Sequence, residues 1–530
     1  MKLQKTILAC ILVLALCLSL FAACSRQTTS TTQPSQTNTS TNTTNEAEKT
    51  EEPEPAASSE PEPEEPDETP VVQMLFFDIT ASGDNAEHIS KAINDYIEPK
   101  YNVHLDITWM QVGDWLQKAL MIVSSGERMD LMELMPANTV SVMQKTNQLM
   151  DISELMTKYA PETYAMMEQY LDAYRYDGKL LGVPTLRNYC TNSYVIFRKD
   201  LLEDLGMVEQ AENCSSWSEY EALLAAFTEA YSGSGIWAVT KGSDGSCPVG
   251  LYTGDDFSTR IVYDTVGDSL NLIMTDSEGN VSNAIASPYH EAALQRVRKW
   301  MDNGWMYPDS PLIDDHPDDL MKQNVVFSTL QGSEMGIENN KGVVMCYDLV
   351  CPMISVGMVT TGTLTSWGFG IPVTAEEPEA AVKIMNAFYT DEKLMNLIIR
   401  GEEGVDFELV DGQVKYFEGS VYQEQDFLIG NNLLLYPAYG NGSDFFERVA
   451  EVNAAAPTSP YLGFALDTAE LDLIVSNLSS VKDQYNQSLG CGLYTSELYQ
   501  EYLSKLESAG ISDYVDAIQA QLTAWLAENK

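Results

Sequence analysis

The chain has 530 residues, with 78 Asp and Glu against 30 Lys and Arg, a formal net charge of −48 and four histidines. So large an acidic excess excludes nucleic acid as a partner, since no basic footprint exists to neutralise phosphates, and it argues against polyanionic ligands. The length exceeds what one hydrophobic core usually serves, which predicts at least two lobes.

Lys2 and Lys5 precede an apolar run, Ile7 to Ala23, that ends in small residues before Cys24; this is the layout of an export signal over residues 1–23. The tetrad Phe21-Ala22-Ala23-Cys24 resembles the bacterial lipobox, whose cysteine is acylated and becomes the first residue of the mature protein. That resemblance implies lipidation (diacylglyceryl and palmitate) at Cys24 and attachment to the bilayer at the extracytoplasmic face of the cell membrane. Residues 24–70 are rich in Ser and Thr, then in Glu and Pro, with too little apolar surface to offset the entropy of ordering. They read as a disordered tether, about 35–40 Å root mean square as a random coil.

Gln73 to Ile79 predicts a buried strand, and Asp84 with Glu87 a capping box for a helix carrying Ile89, Ala92, Ile93, Tyr96 and Ile97 inward. Val103, Leu105, Ile107 and Trp109 alternate as a second strand. Asp114 is expected to cap a helix with Leu116, Ala119, Leu120 and Val123 inward and Gly126 as its stop, before a third strand from Asp130 to Met135. A β-α-β-α-β run implies parallel strands in a doubly wound sheet, with ligands beyond the strand carboxyl ends. Further on, YDGKLLGVP marks a turn, Tyr194 to Arg198 a strand before a helix capped by Asp200, and Ser216 with Glu219 another capping box. TDSEGNVSN reads as a hairpin loop, Ala292 to Asp302 as a helix, and Val343 to Tyr347 with Ile354 to Val359 as paired strands of a second α/β lobe. The chain returns through a strand from Trp367 to Pro372 into an amphipathic helix.

The succession GKLLGVP, YVIFRKDLLEDLGM, SWSEYEALLAAF and GIPVTAEEPEAAVKIMNAFYTDEKLMNLI resembles extracellular solute-binding proteins of carbohydrate ABC importers. RGEEGVDFELVDG, SPYLGFALDT, VKDQYNQSLGCGLY and KLESAGISDYVDAIQAQLTAW are similar to the LipO-like lipoproteins of Gram-positive bacteria. The resemblance implies an α/β, two-lobe periplasmic-binding-protein-like fold of type II, with the ligand cleft between lobes joined by hinge strands. Lobe 1 is then expected over residues 71–183 and, on the return, 362–415. Lobe 2 covers 184–361, and 416–530 holds its remainder with C-terminal helices. The implied function is capture of a solute, an oligosaccharide, for a membrane-embedded ABC permease. A monomer with no cofactor is expected. A surface-anchored polysaccharide-degrading enzyme is the alternative, and a peptide or signal receptor a third reading.

Gly267-Asp268-Ser269-Leu270 spells the GDSL hydrolase signature, but its partner Asp-x-x-His is missing, since the histidines are His88, His104, His290 and His316. Neither a catalytic residue nor a metal ligand is assigned. The six later cysteines show no metal spacing and leave buried thiols or a local disulfide such as Cys346 with Cys351 both open. Sugar binding calls for aromatic platforms with Asp, Asn and Arg between them. By position the candidates are Trp115 near a strand end, Arg187, Asn188 and Tyr189 after the expected hinge, and Trp367 at the return crossing. Asp84, Asn138, Tyr436 and Tyr439 complete the set.

Overall fold

The computed structural model describes residues 69–79, 86–242, 254–259, 261, 263–420 and 422–529. Asp84 and Cys24, with the signal and tether segments before Thr69, lie outside them.

β1 (Val71–Asp78) is VVQMLFFD, buried along nearly its whole length, as expected of a central strand covered on both faces. α1 (Ala86–Tyr101) follows, turning Ile89, Ile93 and Ile97 inward. β2 (His104–Gln111) pairs parallel with β1, from Val71 opposite His104 to Asp78 opposite Gln111. α2 (Val112–Ser124) starts directly at the strand end, and β3 (Leu131–Leu134) lies parallel on the other side of β1. After short helices come β4 (Val183–Pro184) and then β5 (Asn192–Arg198), which opens a second sheet. That sheet gains α3 (Trp217–Ala230), β6 (Trp237–Val239), α4 (Pro288–Asp302), β7 (Val326–Ser333), α5 (Ile337–Met345), β8 (Leu349–Val350) and β9 (Met353–Ser355). The chain returns through α6 (Thr361–Thr365) to β10 (Gly368–Gly370), α7 (Pro378–Thr390) and α8 (Glu392–Arg400). α9 (Phe445–Ala455) precedes three closing helices, α10 (Asp472–Gly490), α11 (Ser496–Ala509) and α12 (Ile511–Asn529).

The first sheet has the order β2-β1-β3-β10-β4, with β10 antiparallel to both neighbours. The second is β8-β5-β7-β6, with β9 also paired to β5. Each sheet has its own apolar core, and a further cluster joins the Ile273–Thr275 and Val281–Asn283 hairpin to α10, α11 and α12. This is the mixed α/β, two-lobe architecture that the sequence implied.

Several local expectations are corrected. Asp114 and Asp200 lie in the first turns of their helices rather than at the caps, which are Gln111 and Arg198. In α2 the inward stripe is Trp115, Ala119 and Val123, leaving Leu116 65 % exposed; the larger indole takes the core position at the same helical period. Val343 to Met345 end a helix and are not a strand. Tyr422, Leu428, Ile429, Leu435, Phe445, Phe446 and Val449 pack into the first core, although residues 416–530 were expected in the second lobe. Cys346 and Cys351 are free thiols.

The GDSL tetrad has a structural task. Asp268 is 3 % exposed; its Oδ2 accepts from the amides of Leu272 (2.6 Å) and Ile273 (3.0 Å), and its Oδ1 from Leu270 N (2.9 Å) and Tyr514 Oη (3.0 Å). One carboxylate therefore organises the turn into the hairpin and ties it to α12, while Ser269 points to solvent. Asp268→Ala should cost about 2–4 kcal/mol by stranding buried donors, and Ser269→Ala less than about 0.5 kcal/mol. Urea unfolding of both variants checks this, and equal losses would contradict it.

At the switch point of the first sheet, Glu133 on β3 is fully buried. Its Oε2 accepts from Phe77 N at 2.6 Å, while Oε1 has no hydrogen-bond partner. Burial pushes its pKa well above 4.5, against the pull of the Phe77 amide and with further help from Glu424. A raised carboxyl pKa means that the folded chain keeps a proton the unfolded chain has lost, so stability falls as pH rises from about 4.5 toward the folded pKa. Glu133→Gln keeps the acceptor for Phe77 and removes the titration. It should flatten the decline and raise the melting temperature at neutral pH, whereas an unchanged slope between pH 5 and 8 would assign the decline to other groups.

Candidate ligand-binding site

Two stretches of chain pass between the two sheets, and each hydrogen-bonds to a segment from further along the chain. The first, between β4 and β5, runs beside residues 430–432, with Leu186 N donating to Gly430 O and Asn432 N to Leu186 O, both at 2.8 Å. Gly430 has a φ of 62°, and a Cβ there would sit 2.5 Å from Phe388 O, so only glycine permits this close approach. The second, between β9 and β10, is joined to residues 457–459 through Val359 N to Pro457 O (2.9 Å) and Ser459 N to Val359 O (2.8 Å). At Gly357 a Cβ would meet Thr191 O at 2.6 Å, which brings the second stretch against the first.

Beside the first stretch lies a cavity of about 380 Å³. Its wall includes Arg187 and Asn188 from the first stretch, Ser333, Glu334 and Met335 at the end of β7, Gln423 to Phe427, Asn432, and Phe445, Phe446 and Val449 of α9. Asn340 and Asn441 add two further amides. Amides donate and accept at once and so suit hydroxyl groups, while the phenyl rings supply apolar faces. Arg187 Nη1 pairs with Glu334 Oε1 at 2.7 Å and also donates to Asn188 O at 3.0 Å. Desolvation raises the Glu334 pKa and Arg187 pulls it back, although 45 % of that side chain is exposed. Arg400, 2 % exposed, holds Asp426 in a two-pronged pair at 2.5 and 2.9 Å. Trp367 is half-buried, 4.8 Å from the Phe427 ring and 6.1 Å from Phe77 at the end of β1.

Of the positions chosen from sequence, Arg187 and Asn188 line this cavity and Trp367 abuts its wall. Tyr189 turns the other way, 2 % exposed and 4.7 Å from Tyr170, and packs into the first core. Trp115 and Asn138 are buried and bonded to each other, Nε1 to Oδ1 at 2.8 Å, and Asn138 Nδ2 donates to Glu133 O. That pair is part of the core. Tyr436 lines a different cavity of about 760 Å³ on the first lobe, between α1, α8 and residues 401–407. Tyr439 is 54 % exposed with the Lys415 ammonium 5.7 Å from its ring centre. Sequence reasoning missed Phe427, Glu334 and Asn432; the only signal was the amide-rich run QEQDFLIGNN, residues 423–432. Among the described residues no cluster of metal-ligating side chains occurs and no helix is long and apolar enough to cross a membrane.

Residues 91–400 match the sequence model of a family described as bacterial extracellular solute-binding protein, and residues 460–527 match a domain of unknown function, DUF3502. A carbohydrate ABC transporter substrate-binding protein from Streptococcus pneumoniae serotype 4 is 23 % identical over 482 residues, 87 % of this chain and 92 % of that protein. Among solved structures, the N-glycan transport solute binding protein NgtS from Streptococcus pneumoniae superposes with a TM-score of 0.70 at 22 % identity, covering 87 % of this chain and all of that one. An extracellular solute-binding protein from Bifidobacterium longum subsp. infantis gives a TM-score of 0.58 at 14 % identity, over 86 % of this chain and 98 % of that one.

Proposed function

Because the chain belongs to the bacterial extracellular solute-binding proteins, a family of binding proteins rather than enzymes, we propose that it captures an oligosaccharide in the cavity at its chain crossings and delivers it to an ABC importer. The observation that carries this reading is the pairing of an amide-lined wall with the Trp367–Phe427 aromatic edge at one place where the lobes meet. The similar S. pneumoniae protein carries a carbohydrate-transport name, and NgtS has been solved in complex with Man1GlcNAc and with Man5GlcNAc. The larger cavity belongs to the first lobe alone, so closure of two lobes would not enclose a ligand there.

The mobile parts in this reading are residues 71–183 with 362–415 and the packed segment 422–449 as one lobe, and 184–361 with the C-terminal helices as the other. The ligand stabilises the closed state by its differential affinity. The protein acts as a monomer, held to the outer face of the cell membrane by acylated Cys24 through a tether over residues 24–70. Two acyl chains suffice for stable anchoring.

Trp367→Ala should weaken oligosaccharide binding about 5- to 150-fold, the effect of about 1–3 kcal/mol from a buried aromatic anchor. The melting temperature without ligand should change much less, because the ring is only half-buried. Calorimetry and thermal denaturation on one preparation decide this, and strong destabilisation without weaker binding would return Trp367 to the core. Cys24→Ala should release the protein from the membrane fraction or leave the precursor uncleaved. An unchanged mature mass and membrane fraction would dismiss the anchor.

A further inference from the structure

We infer that the cavity selects neutral oligosaccharides and rejects those bearing a carboxylate, such as uronic or sialic acids. This rests on the glycan-capture reading and adds the charge class of the sugar. Two arginines and three carboxylates, Glu334, Glu424 and Asp426, line the wall. Each arginine already has its counter-ion: Arg187 has Glu334 at 2.7 Å and Arg400 has Asp426 at 2.5 Å. The neighbouring cations are engaged as well, Lys341 with Asp318 at 2.7 Å and Arg448 with Asp444 at 3.3 Å. A ligand carboxylate entering here loses its water, finds both wall arginines already paired, and meets the field of Glu334 and Asp426. Neutral hydroxyl and acetamido groups suffer neither cost. For them the wall offers accessible amides at Asn340, Gln423 and Gln425, which donate and accept at once.

Glu334 is the residue that sets this choice, because it is what occupies the Arg187 guanidinium. Without its charge Arg187 would still be held by Asn188 O at 3.0 Å and Thr363 O at 3.4 Å, and so would stay at the wall with its charge unspent. A library of free oligosaccharides in which each neutral member has a uronic- or sialic-acid-bearing counterpart provides the test, with retention read by mass spectrometry and dissociation constants by calorimetry at physiological salt. Acidic members should bind about 100-fold or more weakly than their neutral counterparts. In Glu334→Gln, which keeps an acceptor for Arg187, that ratio should fall about tenfold, and Glu334→Ser offers a second route should the first fold poorly. Acidic members retained as well as neutral ones, or a ratio that neither variant moves, would overturn the inference and leave glycan capture standing. Retention of no member at all would overturn both.

Discussion

The side chain of Asn453 fixes the geometry on which the cavity wall depends. Its Oδ1 accepts from Tyr189 N at 3.1 Å and its Nδ2 donates to Arg187 O at 2.7 Å. One amide thus completes the backbone groups on both sides of Asn188, groups that would be costly to leave unpaired once buried. α9, which carries Asn453, is thereby fastened to the first crossing, and the Arg187 guanidinium reaches the second crossing at Thr363 O. Asn188 is left with its Oδ1 on Cys190 N at 3.3 Å, so its amide is oriented before any ligand arrives. Preorganisation of this kind lowers the cost of binding, since the wall need not be ordered by the ligand.

Scarcity of positive charge shapes the same region. With 30 basic residues against 78 acidic ones, the cations near the interior are drawn into fixed pairs. Arg128 serves buried Asp130 at 2.9 Å, Arg198 pairs with Asp200 at 2.5 Å, and Lys100 reaches Asp391 at 2.7 Å. Arg187 and Arg400 follow this pattern and are not held in reserve. Their work is to neutralise Glu334 and Asp426 and to pin backbone carbonyls of Asn188, Thr363 and Tyr436. The acidic composition therefore reaches the cavity as a local property of its wall, where low dielectric makes it count for more than it does on the surface.

Much of the scaffold was legible in the sequence because one signal dominated each element. The continuous apolar run of β1, the alternation of β2 and the helical spacing of Ile89, Ile93 and Ile97 each allow one reading, and the parallel register follows from their order. Errors came where two signals competed. Val343 and Val344 read as strand by their branching, yet the preceding residues from Ile337 carry them into a helix. At α2, Leu116 and Trp115 were both apolar, and periodicity alone could not tell which faced the core. The site was harder to read, because its wall combines segments as distant as Arg187, Glu334 and Phe427. Tyr189 shows the limit: its stretch lines the cavity through Arg187 and Asn188, but which way each residue turns depends on contacts from other elements such as α9.

The aromatic line from Phe77 to Trp367 to Phe427 links these constraints. Glu133 holds the Phe77 amide at 2.6 Å, fixing the end of β1 just where β1 and β3 part. The Phe77 ring then leans on Trp115, 5.4 Å away and nearly perpendicular, and on Trp367 at 6.1 Å. Trp367 lies beyond the end of α6, directly after its C-cap Ser366, and its own carbonyl accepts from Thr185 N at 3.0 Å and Tyr174 Oη at 3.1 Å. Its backbone is thus clamped to the first lobe while its ring meets Phe427 beside the cavity. A ring on so rigid a mount has little conformational entropy left to lose on contact with a ligand. That makes Trp367 better suited to a stacking platform than the fully buried Trp115, whose surface is already spent on the core.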